Sequence, residues 1–203
     1  MHSSGRGTAS LTPLKRPFYE RDTLRVAREL LGKVLVRRLG ATLLEGVIVE
    51  VEAYRGYDDP ASHAYRGPTR RNQVMFGQPG HAYVYFTYGM HYCLNVTTEP
   101  AGQPGAVLIR AAQPVNGIER MKKERRTERI KDLANGPAKL TRAFAVTRAL
   151  NGHDLTLGTE LFMAETANSE PLEIVSTRRI GIRVGLDRPW RFFIKGNPFV
   201  SRP

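Results

Sequence analysis

The chain has 203 residues, room for one domain and too few for two full cores. Its 31 Lys and Arg outweigh 19 Asp and Glu, and a net charge of +12 points to a polyanionic partner such as nucleic acid. No apolar run reaches the ~18 residues of a membrane-spanning helix. A single cysteine, Cys93, excludes an internal disulfide and a cysteine-based zinc site, and suits a reducing, intracellular compartment.

Residues 1–13 are polar and rich in Gly and Ser, and lack the apolar stretch of a secretory signal. They read as a disordered tail ahead of one domain over 14–203. Asp22 can cap a first helix reaching about Leu31, with Leu24, Ala27, Leu30 and Leu31 as its apolar stripe and Gly32 as its stop. Residues 34–37 and 43–54 read as strands. In the second, alternation puts Val47, Val49, Val51 and Ala53 on one face and Ile48, Glu50, Glu52 and Tyr54 on the other. Residues 57–80 form a long loop with Pro60, Pro68 and Pro79; loops of that length in compact domains are usually functional. Two strands, 81–86 and 91–97, flank the short turn Thr87-Tyr88-Gly89-Met90. Strand 106–112 is apolar except for Arg110. Residues 118–133 read as one charged helix, and Asn135-Gly136-Pro137 opens another with proline in its first turn. Strands follow at 161–164, 173–175 and 191–194. The sum is an α+β single domain with a mixed, mostly antiparallel sheet flanked by helices.

Seven of the eight tyrosines lie between Tyr54 and Tyr92, a stretch with three of the five histidines and no lysine. Rings in a basic protein suit stacking on unstacked bases, while the cationic surface holds phosphates without reading sequence. The same rings also suit an ordinary half-buried core. Arg outnumbers Lys 24 to 7, which fits forked phosphate contacts as well as a compositional bias. Glu50 and Glu52 share a strand face that leads into the aromatic loop. A Glu there is either a general base or part of a solvated sheet face. A buried Arg110 needs an anion, and Glu52 or a phosphate would serve. A guanidinium beside Glu52 suits a base that activates water and suits a proton donor poorly. Tyr83 and Tyr85 share one face of their strand. Tyr88 and Met90, at the hairpin tip, are either a wedge between base steps or part of a hairpin folded into the core. Asp58 and Asp59 read first as turn-makers beside Pro60. The histidines lack metal-ligand spacing, so neither a metal site nor a zinc deaminase fits. No Gly-Lys-Ser/Thr ending marks a phosphate loop.

A set of motifs runs in order through residues 18–201. It comprises Glu-Val-Glu-Ala-Tyr-Arg-Gly at 50–56, Asp59-Pro60-Ala61-Ser62-His63, Thr69-Arg70-Arg71-Asn72, Met75-Phe76, Tyr83-Val84-Tyr85, Tyr88-Gly89-Met90 and Leu94-Asn95-Val96. Val107-Leu108-Ile109-Arg110-Ala111, Asn135-Gly136-Pro137-Ala138-Lys139-Leu140, Arg179-Ile180-Gly181-Ile182, Trp190-Arg191-Phe192 and Asn197-Pro198-Phe199-Val200-Ser201 continue it. Each piece is weak, but the ordered set resembles the alkyladenine (3-methyladenine) DNA glycosylases. The resemblance implies their fold and a monofunctional enzyme without a cofactor, acting as a monomer. Such an enzyme flips alkylated, deaminated or etheno purines out of double-stranded DNA and hydrolyses the N-glycosidic bond. The resemblance makes Glu52 the general base, with Arg110 and the backbone carbonyl of Ile180 helping to hold the water. Tyr54, His63 and Tyr85 would sandwich the flipped base, and the His63 main chain would read its edge. Asn95 matches a position that discriminates against the guanine 2-amino group. Tyr88, with Met90 beside it, would fill the gap left in the duplex. Two rivals are a non-catalytic nucleic-acid binder, which has no use for Glu52 with Arg110, and an inactive homologue that only marks lesions.

Overall fold

The computed structural model describes residues 11–87, 89–166 and 171–202. Its frame is the long strand β2 (Thr42–Tyr54), which follows α1 (Arg16–Tyr19), α2 (Thr23–Leu30) and β1 (Val34–Leu39). Asp22 caps α2 as the sequence predicts, accepting from the amides of Leu24 and Arg25 at 3.0 Å. Two donors that a helix start leaves orphaned are thereby satisfied. The helix buries Val26, Ala27 and Leu30, so Val26 takes the central place expected of Leu24, which is only partly buried. Leu11 packs with Val36 and Phe162, and Pro13 pairs with Ala164. The packed domain therefore includes Leu11, Thr12 and Pro13, which the sequence assigns to the tail; the rest of that tail lies outside the described residues.

Strands β3 (Ala82–Thr87), β4 (His91–Thr98), β5 (Gly105–Asn116), β6 (Leu161–Ala164), β7 (Ile174–Thr177) and β8 (Arg191–Ile194) join the sheet. The order is β3-β4-β5-β2-β1-β6, with β8 pairing to both β2 and β7. Every strand pair among the described residues is antiparallel, which corrects the expected mixed sheet. Short connections join β1 to β2, β3 to β4 and β4 to β5, and a parallel pair would need a crossover of a dozen or more residues.

The expected alternation along β2 breaks at its middle. Ile48 faces Ala112 and Glu50 faces Ala111, which leaves Val49 without a partner. On β5, Ile109 faces Val51, which leaves Arg110 without one. A bulge turns neighbouring side chains toward one face and re-aims the residues beyond it. Val47 and Val49 therefore pack with Ala111, Phe193 and Val200, while Ile48 joins Val51 and Ala53 in the main core. The irregularity keeps charge out of the main core and lets Glu50, Glu52 and Arg110 meet on the opposite face.

The charged helix expected over 118–133 is also shorter. Helix α3 (Ile118–Arg125) ends where Arg126 turns left-handed at φ 53°, and a short 3-10 turn, Ile130–Asp132, succeeds it. Met121 is its one buried residue, so no apolar face favours prolonging it. Helix α4 (Pro137–Ala143) begins with the predicted proline.

Candidate active site

Glu52 lies where β2 runs between β5 and β8, and it is fully buried. A glutamate is almost never so buried unless paired. The Ile180 amide donates to Oε1 at 2.7 Å, and Arg110 Nη1 stands 3.2 Å from the same oxygen. The Tyr54 hydroxyl donates to Oε2 at 2.8 Å. Oε2 keeps acceptor capacity for one more donor.

Glu50 is equally buried but bonded differently. Its Oε1 accepts from Arg110 Nε at 2.9 Å, Arg191 Nε at 2.8 Å and the Ser201 hydroxyl at 2.9 Å. Its Oε2 accepts from the Ser201 amide at 2.6 Å. Burial pushes the Glu50 pKa up, but Arg110, the Ser201 amide and Arg191 outweigh it and hold it below the ordinary carboxylate value. Arg110 thus forks across both glutamates. Burial opposes its charge, and Glu52 and then Glu50 restore it. Glu50 ties the C-terminal segment to the sheet, while the partners of Glu52 open onto a cavity.

That cavity is about 370 Å³, lined by Tyr54, His63, Tyr83, Tyr85, Asn95 and Arg110, with Ile180 on its edge. The volume falls among small-molecule sites, roughly 300–1,000 Å³. The pocket residues expected from the sequence come together here. Glu52 itself stands behind Tyr54, Arg110 and Ile180 and does not line the cavity. His63 and Tyr85 touch edge to face, with ring centroids 4.7 Å apart and planes at 72°. Tyr54 lines the same cavity.

Tyr83 adds a fourth ring, 5.2 Å from Tyr85, and its hydroxyl bonds His63 Nδ1 at 2.8 Å. The alternating spacing of Tyr83 and Tyr85 is the only sequence signal for that role. His63 is exposed overall, but its ring is partly desolvated where it packs edge-on against Tyr83 and Tyr85. That desolvation, and then Arg71, lowers its pKa to about 4, so the ring is neutral near pH 7. Burial, and then Glu52, raises the pKa of the Tyr54 hydroxyl and keeps it a donor. Asn95 Nδ2 donates to the Tyr83 carbonyl at 3.0 Å, which fixes its amide plane. The His63 carbonyl accepts from Asn72 Nδ2 at 2.7 Å. Ile180 reaches Glu52 through its amide, whereas the resemblance assigns a role to its carbonyl.

Asp59 makes the expected turn, accepting from the Ala61 amide at 3.1 Å. It also forms a fully buried, bidentate pair with Arg179 at 2.5 and 2.8 Å. Nothing in the sequence pairs these residues, which stand 120 positions apart. Arg179 donates to the Ala53 carbonyl at 2.9 Å and lies 4.7 Å over the Tyr54 ring and 5.2 Å over Trp190. The pair therefore fixes Tyr54 and sets the next residue, Ile180, against Glu52. Removing one partner of a buried pair costs about 3–5 kcal/mol, while an apolar replacement of both is often neutral. Asp59→Leu and Arg179→Met should each lower the urea midpoint sharply, and the double variant should recover part of the loss. A double-mutant cycle should give a coupling of about 0.5–3 kcal/mol; strictly additive losses would show that the pair does not act as a unit.

At the β3–β4 turn, Met90 is 69 % exposed and comes after Gly89 at φ 66°, so Met90 does not fold into the core. Tyr88 lies outside the described residues.

The family model for methylpurine-DNA glycosylase (MPG) matches residues 17–198. A relative from Carboxydothermus hydrogenoformans is 54% identical over 189 residues, covering 93% of this chain and 98% of the relative. One from Methanocella arvoryzae is 51% identical over 193 residues, covering 93% and 96%. One from Koribacter versatilis is 48% identical over 196 residues, covering 95% of each. All three bear the name "Putative 3-methyladenine DNA glycosylase". The chain belongs to the methylpurine-DNA glycosylase family, and so to the DNA glycosylases, hydrolases that act in DNA repair.

Proposed function

We propose that this glycosylase turns a damaged purine out of duplex DNA into the ring-walled cavity and hydrolyses its N-glycosidic bond with water activated by Glu52. The observation that carries the reading is the buried Glu52 carboxylate, bonded to Tyr54 and Ile180 and ion-paired with Arg110 behind that cavity. Burying a carboxylate is costly unless it is paired and hydrogen-bonded; unlike Glu50, whose partners tie down the C-terminal segment, Glu52 is held by residues that line the cavity, an arrangement a passive binder of nucleic acid does not need. The attacking water forms the new bond at C1′ and gives a proton to Glu52. The electron pair of the C1′–N bond leaves with the purine, through an oxocarbenium-like sugar. An alkylated, cationic purine departs as a neutral base and needs no second carboxylate.

Tyr54 on one side and His63 with Tyr85 on the other stack the flipped base, Asn95 discriminates at its edge, and the substrates are alkylated purines such as 3-methyladenine; a neutral deaminated or etheno purine would leave as an anion, to which the proton taken up by Glu52 returns through solvent. The net charge of +12 suits the phosphate backbone. The enzyme acts as a monomer without a metal or cofactor. Incubation with a duplex holding one hypoxanthine or alkylated purine tests the reading: free base and an abasic site support it. Binding without base release would favour the inactive homologue or the passive binder.

Tyr88 and the exposed Met90 enter the duplex where the purine left. Unstacking costs a few kcal/mol, least where the lesion pairs poorly. Tyr88→Ala should weaken lesion binding and slow excision most for well-paired lesions, measured by single-turnover rates against well-paired and mispaired substrates. Equal losses on both would make Tyr88 a packing residue.

A further inference from the structure

The bulge at Val49 and Arg110 turns Val49 and Ala111 into the second apolar cluster, where Val200 and Phe193 cover them. Asn197 brings the chain to that place. Its Oδ1 accepts from the Phe199 amide at 2.9 Å, and its Nδ2 donates to Gln113 Oε1 on β5 at 3.0 Å. Ser201 comes next and meets Glu50 with both of its donors. Its amide reaches Oε2 at 2.6 Å and its hydroxyl reaches Oε1 at 2.9 Å. A donor on each oxygen fixes the carboxylate plane, because turning it spoils at least one contact. Oε1, so placed, accepts from Arg110 Nε at 2.9 Å, and Arg110 Nη1 then stands 3.2 Å from Glu52 Oε1. A guanidinium is a rigid fork, so the direction of Nε sets that of Nη1. Arg110 also lines the base cavity, whereas Glu50, Arg191 and Ser201 do not. Arg191 Nε donates to Glu50 at 2.8 Å, and its other nitrogens hold Thr177 Oγ1 and the Arg202 carbonyl. Removing Arg191 would strip a charge from a buried cluster. Removing the Ser201 hydroxyl takes away alignment and leaves every charge in place.

We propose that Ser201 is a positioning residue for base release: through Glu50 it aims Arg110 at Glu52 and the cavity. The inference rests on the reading of Glu52 as the base that activates water, and it adds a residue to that reading. Buried hydrogen-bond networks stiffen their members together. A displacement of about 1 Å caused far from the chemistry can cost ~100-fold in rate. A loosened Arg110 leaves Glu52 charged but poorly aimed, so the loss falls on the chemical step and not on binding.

Ser201→Ala keeps the amide donor and loses the hydroxyl. It should slow single-turnover base release at saturating enzyme by about tenfold, part of the loss a full displacement would bring. Lesion affinity should stay within a few fold, titrated on a duplex whose lesion nucleotide carries a 2′-fluorine to slow base loss. Hydrogen exchange at Arg110 Nε, read by nitrogen-15 resonance without DNA, should quicken in the same variant. Its melting temperature should fall by only a few degrees. Ser201→Thr retains the hydroxyl and should restore both the rate and the slow exchange. An unchanged rate in Ser201→Ala, or equal losses in Ser201→Ala and Ser201→Thr, would overturn the proposal. So would a slowed rate with Arg110 Nε exchanging as in wild type, since Ser201 would then not act through Arg110. Failure of the wild-type chain to release base would instead overturn the glycosylase reading, while the exchange measurement would still decide whether Ser201 holds Arg110.

Discussion

Glu52→Gln should lower single-turnover base release by at least ~100-fold, the scale of a lost general base, and leave lesion affinity within a few fold. Glutamine keeps the shape and one acceptor oxygen, so the Ile180 amide and Arg110 retain a partner. It cannot take a proton from water. The defect should therefore lie in the chemical step and not in binding, and rapid-quench kinetics with a separate binding titration distinguish the two. If Glu50→Gln slowed the folded enzyme more than Glu52→Gln, the roles of the two glutamates would have to be exchanged.

Glu50→Gln should act on stability. Glu50 accepts from both Arg110 and Arg191 and from the Ser201 amide and hydroxyl, with no exposure to solvent. Glutamine leaves the two guanidiniums without this counter-charge, at a cost of about 3–5 kcal/mol. The effect should depend on pH. The folded-state pKa of Glu50 lies below its ordinary value of 4.5. Its contribution is therefore fully present above about pH 4.5 and is lost as pH falls through the lower, folded-state value. Urea midpoints should fall more steeply into acid for wild type than for Glu50→Gln. Parallel curves would mean that Glu50 gains nothing from its partners.

Local chemistry explains which parts of this fold were legible in the sequence. The Asp22 cap, the Gly32 stop, the proline opening α4 and the alternation of β3 and β4 each rest on neighbours in sequence. The paired bulge at Val49 and Arg110 does not. A period of two has no mark for an extra residue, so the faces of β2 came out wrong on one side of it. Strand direction depends on how connections pack, and the all-antiparallel sheet was not readable from propensity. The end of α3 at Arg126 follows from the polar run 122–129, which offers no apolar stripe for a longer helix to bury; Leu133 reaches the core only after the chain has turned.

At the site, Glu50 and Glu52 were visible as a pair, but their residue types could not separate them. Their partners do, and those partners stand up to 151 positions away. The Asp59–Arg179 lock is invisible for the same reason. The pocket roles of His63, Asn95 and Ile180 came from family resemblance and not from spacing.

Whether water or an amine attacks C1′ is the centre of the account. Among the described residues no lysine lines the cavity, and Lys139 Nζ is held 2.8 Å from Asn135 Oδ1 and 3.7 Å from Asp132. An amine nucleophile would form a Schiff base that borohydride reduces to a permanent adduct. The deciding measurement is turnover of a lesion duplex in borohydride, with electrophoresis of DNA and protein afterwards. Glu52-directed water predicts free base, an intact strand that breaks only on added alkali, and no protein–DNA adduct. A trapped adduct, above all one that disappears in Lys139→Ala, would contradict it.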